Sequence, residues 1–262
     1  MSNASNIRWT FSHAADTEIM NAEVVEHRFS EHFHETWAIG CIESGACAFS
    51  AYGRALTAQA GDVVIIPPYV VHTGGTDIGR LAYRMGYVGE DWFSSLSRLL
   101  FGALHVRFPG TVIHDPPAAK RLSAALSPAQ MRDAERKALL AQALLGLLAR
   151  HAIPQRDGET PRVTLARAGD GGNLLRIVGS EAMSRSALIR RFTRRFGLSP
   201  MRYLRNLRCV SAKRMLRDDL PISEVAHALS FSDQAHFTRE FKKIHGITPG
   251  LYRNVIRAGR RA

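Results

Sequence analysis

No stretch of this chain stays apolar for long enough to cross a bilayer. The nearest approach, Ala138 to Ala149, is interrupted by Gln142 and Gly146. It falls well short of the roughly 20 residues that a membrane helix needs. The N-terminus carries Asp16 and Glu18 early and has no basic-then-apolar segment, so no secretory signal is expected. Cysteine is scarce. Cys41, Cys47 and Cys209 form no Cys-x-x-Cys pair, and an odd count argues against a disulfide framework. These absences lead to the expectation of a cytoplasmic protein with reduced thiols and no membrane partner. A glycine-rich phosphate loop, a Ser/His/Asp set and a paired-carboxylate motif are missing too. No enzyme and no cofactor is therefore the first expectation.

What is present is positive charge, and it is unevenly placed. The chain has 262 residues and a formal net charge of +12. Residues 160–262 hold 21 Lys/Arg against 7 Asp/Glu, whereas residues 1–159 hold 14 against 16. A near-neutral portion joined to a strongly basic one points to a polyanion partner, because Lys and Arg gain affinity by releasing phosphate counterions.

The texture of the chain changes along its length. From about Val24 to Tyr87, short apolar runs such as Trp37–Ile42 and Val63–Ile66 alternate with Ser44-Gly45, Tyr52-Gly53 and Gly61-Asp62. Pro67-Pro68 ends one run, since proline cannot continue a central ladder. Many short strands at this spacing predict a sandwich or small barrel. From Ala118 to Ala149 the pattern is helical, with Leu140, Ala143, Leu144, Leu147 and Leu148 on one stripe. Two readings of that stripe stand open: packing on the domain's own core, or a dimer interface. Pro154 to Pro161 is rich in turn formers and reads as a linker.

The basic region contains one unit twice. Arg190-x-Phe192-x4-Gly197-Leu-Ser-Pro200-x2-Tyr203 recurs as Arg239-x-Phe241-x4-Gly246-Ile-Thr-Pro249-x2-Tyr252, 49 residues on. Leu174, Val178 and Ser184 match Ile222, Ala226 and Ser232 at an offset of 48, which predicts one extra residue at the start of the second copy's last helix. Each copy reads as two helices joined by a tight turn. Ser184 and Ser232 are the expected N-caps, and Gly197 and Gly246 the expected left-handed ends. Outward polar residues on the second helix of each pair suit the DNA major groove. The candidates are Arg185, Ser186, Ile189, Arg190 and Arg194 in one, and Asp233, Gln234, Thr238, Arg239 and Lys242 in the other. Between them, Pro200 to about Arg217 reads as one connecting helix.

Residues from about Leu174 to Arg253 resemble the DNA-binding domain of the AraC/XylS regulator family, most closely over Ile222–Arg253. The resemblance implies paired helix-turn-helix units, transcriptional control and duplex DNA as partner, often with activation through RNA polymerase. Two departures are visible: Ala182 and Ser230 stand where the family usually has the turn glycine, and the stretch before Leu174 is short and glycine-rich.

His32-Phe-His34 followed by Gly61-x5-Pro67-x4-His72 is similar to the two cupin motifs, and residues 27–90 resemble the sensor domain of AraC-type regulators. In metal-dependent cupins a Glu follows His-x-His by a few residues. Thr36, Trp37, Ala38 and Ile39 occupy that region here, so no metal is expected. The resemblance implies a small-molecule effector, with His32, His34, Trp37, Tyr69, His72 and Tyr83 as candidate contacts; plain core packing is the other reading of Trp37 and Tyr83. An alternative function is a metal-dependent cupin enzyme with a DNA-binding tail, ligated by His32, His34 and His72. The expected architecture is multidomain α and β. It comprises a cupin-like β-barrel sensor (1–115), a helical dimerisation or connecting segment (116–153), a linker (154–161) and an all-α double helix-turn-helix domain (162–256), in a homodimer.

Overall fold

A computed structural model of the chain describes residues 6–77, 79–155 and 183–260. The described residues form two compact units, one from 6–28, 34–155 and 255–260, the other from 29–33 and 183–254. The strands run β1 (Asn6–Ser12), β2 (Thr17–Val25), β3 (Arg28–His32), β4 (Trp37–Ser44), β5 (Ala46–Ala51), β6 (Arg54–Gln59), β7 (Asp62–Ile66), β8 (His72–Gly75) and β9 (Arg80–Val88). Next come α1 (Glu90–Phe101), β10 (His105–Arg107), β11 (Val112–His114), α2 (Pro116–Ala125), α3 (Asp133–His151) and β12 (Ile153–Gln155).

The largest sheet has six strands in the order β1-β2-β9-β4-β7-β11, and its strand pairs are antiparallel. A second sheet includes β8-β5-β6 in that order, and β10 pairs with β12 alone. The closed barrel expected from the cupin resemblance does not form among the described residues. Closure requires the two terminal strands of a sheet to meet and pair. Here β1 pairs only with β2, and β11, three residues long, pairs only with β7. The result is an N-terminal β-sheet domain with open sheet edges, followed by an all-α region. The first hairpin also starts well before Val24, where strands were expected. Its alternation of Trp9 and Phe11 with Thr10 and Ser12 is diluted by polar residues on both faces.

The two faces of the large sheet do different work. On one, Ile19, Ile39, Cys41, Val63 and Ile65 pack against Leu122 and Leu126 and against Leu140, Leu144, Leu147 and Leu148. Leu144, Leu147 and Leu148 are wholly buried. The leucine stripe of α3 is thus the domain's own core. Asp115 starts α2 by accepting the Ala118 N–H at 2.8 Å, with Pro116 and Pro117 in the first turn. Both prolines are tolerated there because those N–H groups have no partner within the helix. Gly45, at φ +78, turns β4 into β5, and a Cβ there would run into the Arg80 carbonyl.

The second unit is helical: α4 (Arg185–Phe196), α5 (Pro200–Arg217), α6 (Ile222–Ala228), α7 (Gln234–His245) and the start of α8 (Pro249–Gly259). The sequence repeat is also a packing repeat. Phe192 meets Tyr203 edge-on at 5.4 Å, and Phe241 meets Tyr252 edge-on at 5.8 Å, 49 residues on. Gly197 and Gly246 end α4 and α7 at φ +78 and +71, donating back to Thr193 and Lys242. Lys213 of α5 is buried, with its ammonium over the Tyr252 ring at 5.5 Å. The expected linker, the glycine-rich stretch, Leu174, Val178 and Ala182 lie outside the described residues, apart from Pro154 and Gln155 at the start of the linker.

Candidate nucleic-acid interface and effector face

α4 and α7 are both 12 residues long, and their N-caps, Ser184 and Asp233, are 49 positions apart. The extra residue of the second copy therefore falls in the turn before α7, not at the start of the helix. That turn also moves the cap. Asp233, not Ser232, accepts the His236 N–H at 2.7 Å. The Ser232 hydroxyl donates to the other carboxylate oxygen at 3.1 Å. Asp233, a DNA-contact candidate in the sequence, is occupied with this cap. The His236 N–H above all holds its carboxyl below the usual range. Ser230 takes the place of the turn glycine at φ +57.

With about 100° of rotation per residue, helical positions one, two, five, six and nine share a stripe beside the buried face. In α4 these are Arg185, Ser186, Ile189, Arg190 and Thr193; in α7 they are Gln234, Ala235, Thr238, Arg239 and Lys242. All are exposed except Thr193 and Thr238, which are half-buried. Phe192, Phe237 and Phe241 anchor the adjoining buried face. Thr193 and Ala235 were not foreseen, and the offset of 49 finds them. Arg194 is exposed but turned to another flank, and its equivalent is Lys243. Behind α7, Arg205 holds Glu240 at 3.3 Å and Arg208 donates to the Ser230 carbonyl at 3.1 Å. These contacts brace the helix and its turn against α5.

In the N-terminal unit, the face of the large sheet turned away from the helices carries Tyr83, Met85 and Tyr87. Burial pushes the Tyr83 phenol well up. The His34 ring lies edge-on to Tyr87 at 4.6 Å and 5.2 Å from the His72 ring. Burial pushes His72 down to about 4, against the opposing effect of its hydrogen bond with the Val70 carbonyl. His72 is thus neutral at physiological pH. Tyr69, at φ +61, donates its backbone N–H to the His34 carbonyl at 2.7 Å. His34 and His72 are both buried in this unit, whereas His32, also buried, belongs to the other one. Trp37 is on the other face, stacked on Phe93 at 4.5 Å within the helix-side core. Sequence reasoning missed Trp9, Glu18, Met20 and Tyr87, all contributed by or paired with the unforeseen hairpin. Trp9 stacks on Tyr87 at 5.5 Å, and Tyr87 also has its hydroxyl 3.9 Å from the Met20 sulfur. Glu18 is 2% exposed, and its charge adds to the burial that raises the Tyr87 phenol. The three cysteines are free. No helix among the described residues is long and apolar enough to cross a membrane.

Residues 15–149 match the model of the AraC-like ligand binding domain, and residues 179–254 match that of a helix-turn-helix domain. The HTH-type transcriptional activator RhaS of Escherichia coli is 23% identical over 243 residues, 84% of this chain and 86% of RhaS. The uncharacterized HTH-type transcriptional regulator YbfI of Bacillus subtilis is 26% identical over 231 residues, covering 81% and 82%. MtrA of Neisseria gonorrhoeae is 30% identical over 100 residues, 38% of this chain and 33% of MtrA. All three bear the names of HTH-type transcription regulators. Among solved structures, ToxT of Vibrio cholerae bound to an unsaturated fatty acid shares the fold, with a TM-score of 0.55 at 12% identity over 96% of this chain and 95% of that one.

Proposed function

Because the chain belongs to the family of proteins with an AraC-like ligand-binding domain, we propose that it is a transcription regulator that reads duplex DNA through α4 and α7 and senses a small molecule through its N-terminal domain. The carrying observation is the duplicated stripe: two helices of equal length, capped at equivalent residues, expose equivalent side chains. A helix of this kind fits the major groove with its N-terminal side chains on base edges. The 18-residue α5 spans about 27 Å at roughly 1.5 Å per residue. Successive major grooves on one face of DNA are about 34 Å apart, so one chain suits two adjacent grooves. Arg185 fits guanine or a phosphate, and Gln234 fits adenine. Arg190, Arg194, Arg239 and Lys242 supply phosphate contacts, with Ser186 beside them.

On the sensing side, His34, His72, Tyr83 and Tyr87 present ring edges and polar atoms on one buried face, with Glu18 and Trp9 adjoining. That mixture suits an effector with both apolar and hydrogen-bonding groups. The test of the whole reading is selection of binding sites from random duplex by the full chain, followed by titration at rising salt. A selected sequence whose affinity falls steeply with salt is expected, since each phosphate contact releases counterions. A flat salt response with no selected sequence would remove the reading.

A further inference from the structure

Seven large apolar side chains are exposed among the described residues, and Ile189, at 37%, is one of them. It sits in the middle of the α4 stripe, four residues after Arg185 and next to Arg190. A helix serving only phosphates gains nothing from this residue. Its branched side chain lowers helix propensity and leaves apolar surface in water. The turn that carries it is held, for the Thr193 hydroxyl donates to the Ile189 carbonyl at 2.9 Å. Forty-nine residues on, Thr238 occupies the equivalent place in α7. It too is β-branched and carries a methyl at the same branch point. Both copies therefore set a methyl-bearing side chain at helical position five, between polar or cationic neighbours at positions one and six.

In the major groove, thymine alone among the bases presents a methyl group. We propose that Ile189 and Thr238 each read a thymine methyl, so that the two half-sites share a thymine at the place facing position five. At the place facing position one they differ, because Arg185 and Gln234 prefer different bases. This deepens the DNA-binding reading above and rests on it.

The experiment starts from a duplex selected by the full-length wild-type chain. Each thymine common to both half-sites is replaced in turn by deoxyuridine, which lacks only the C5 methyl. Binding is then measured for wild type, Ile189→Ala and Thr238→Ser, with circular dichroism to show that each variant is folded. The serine keeps the hydroxyl and removes the methyl. One buried methyl is worth about a fourfold change in affinity, so wild type should lose about that much at one thymine in each half-site. Ile189→Ala should become indifferent to uridine in the α4 half alone, and Thr238→Ser in the α7 half alone. Indifference of wild type to every uridine overturns the proposal. So does sensitivity that persists in both variants, which would hand the methyl to Ala235 or another residue. Absence of any selected sequence would be the separate failure of the DNA-binding reading, and would take this proposal with it.

Discussion

Ser184 and Asp233 do the same work 49 residues apart: each accepts a backbone N–H from the first turn of the helix that follows it. The equivalence defines which side chains of α4 and α7 correspond, and hence which face of each the proposed reading assigns to DNA. The two caps are chemically unlike. Serine caps at every pH, whereas the aspartate caps best as a carboxylate. Its carboxyl is held below the usual range by the His236 N–H and the Ser232 hydroxyl. A group lowered in the folded state stabilises above its unfolded pKa and loses that contribution as pH falls through its folded pKa. The helicity of α7 should therefore weaken in acid where that of α4 does not. Backbone amide exchange of α7 against α4 from pH 7 downward checks this. Equal acid response in both helices would contradict it.

Ser230 carries a conformational cost that the sequence exposed as a missing glycine. At φ +57 it sits in the left-handed region, which costs a non-glycine residue about 1–2 kcal/mol. Ser230→Gly relieves the strain but adds freedom to the unfolded chain. The expected net is stabilisation by roughly 0.5–1 kcal/mol. Denaturant unfolding of the full chain, followed by the fluorescence of a Trp introduced in place of Phe231 in both backgrounds, measures it. A lower midpoint for the glycine variant would show that the serine holds the turn by some other interaction.

The leucine stripe of α3 gives a prediction that separates its two sequence readings. Leu144 is wholly buried against the sheet. Leu144→Ala should cost about 2–5 kcal/mol through lost burial and a residual cavity. Leu144→Asp, which places an unpaired charge there, should fail to fold. Sedimentation of the soluble fraction is the second readout. A folded Leu144→Asp monomer, obtained from a wild-type dimer, would restore the interface reading.

Local chemistry made the helical half legible and the β half only partly so. Caps, proline starts and glycine ends are written in single residues, so α5 falls where Pro200 and Arg217 predicted, and α4 and α7 end at their glycines. The 48-to-49 slip was visible as well, but not its location, because Ser232 and Asp233 are both good caps and only the turn geometry chooses between them. Strand pairing is non-local. Nothing in Trp37 itself says whether it faces the helices or His34, and a shift of one residue moves a side chain to the opposite face. The hairpin of β1 and β2 escaped notice because Glu18 and Asn21 interrupt its apolar alternation. With it went Trp9, Glu18, Met20 and the significance of Tyr87. Strand spacing left a sandwich or a small barrel open and the cupin resemblance favoured the barrel, but neither determines whether edge strands meet.

Asp115 joins the two helices that cover the large sheet, and it makes the domain's stability depend on pH. One carboxylate oxygen caps α2 through the Ala118 N–H. The other lies 2.9 Å from Arg150 Nε and 2.7 Å from His151 Nε2, at the end of α3. Burial pushes this carboxyl up, but the hydrogen bonds from His151, Ala118 and Arg150 outweigh it and hold the group at about 2, below its ordinary 3.8. Because the folded value is depressed, the stabilisation is fully present above pH 4 and disappears as pH falls through about 2. A shift of this size corresponds to about 2 kcal/mol. Asp115→Asn keeps one acceptor oxygen for the cap and removes the charge. It should lower the urea midpoint at pH 7 by an amount equivalent to about 2 kcal/mol. The gap between wild type and variant should narrow steadily from pH 4 to pH 2, and taking the difference cancels the titration of every other carboxylate. A gap that stays constant down to pH 2 would mean that Asp115 acts through shape alone, and that its charge contributes nothing to joining α2 to α3.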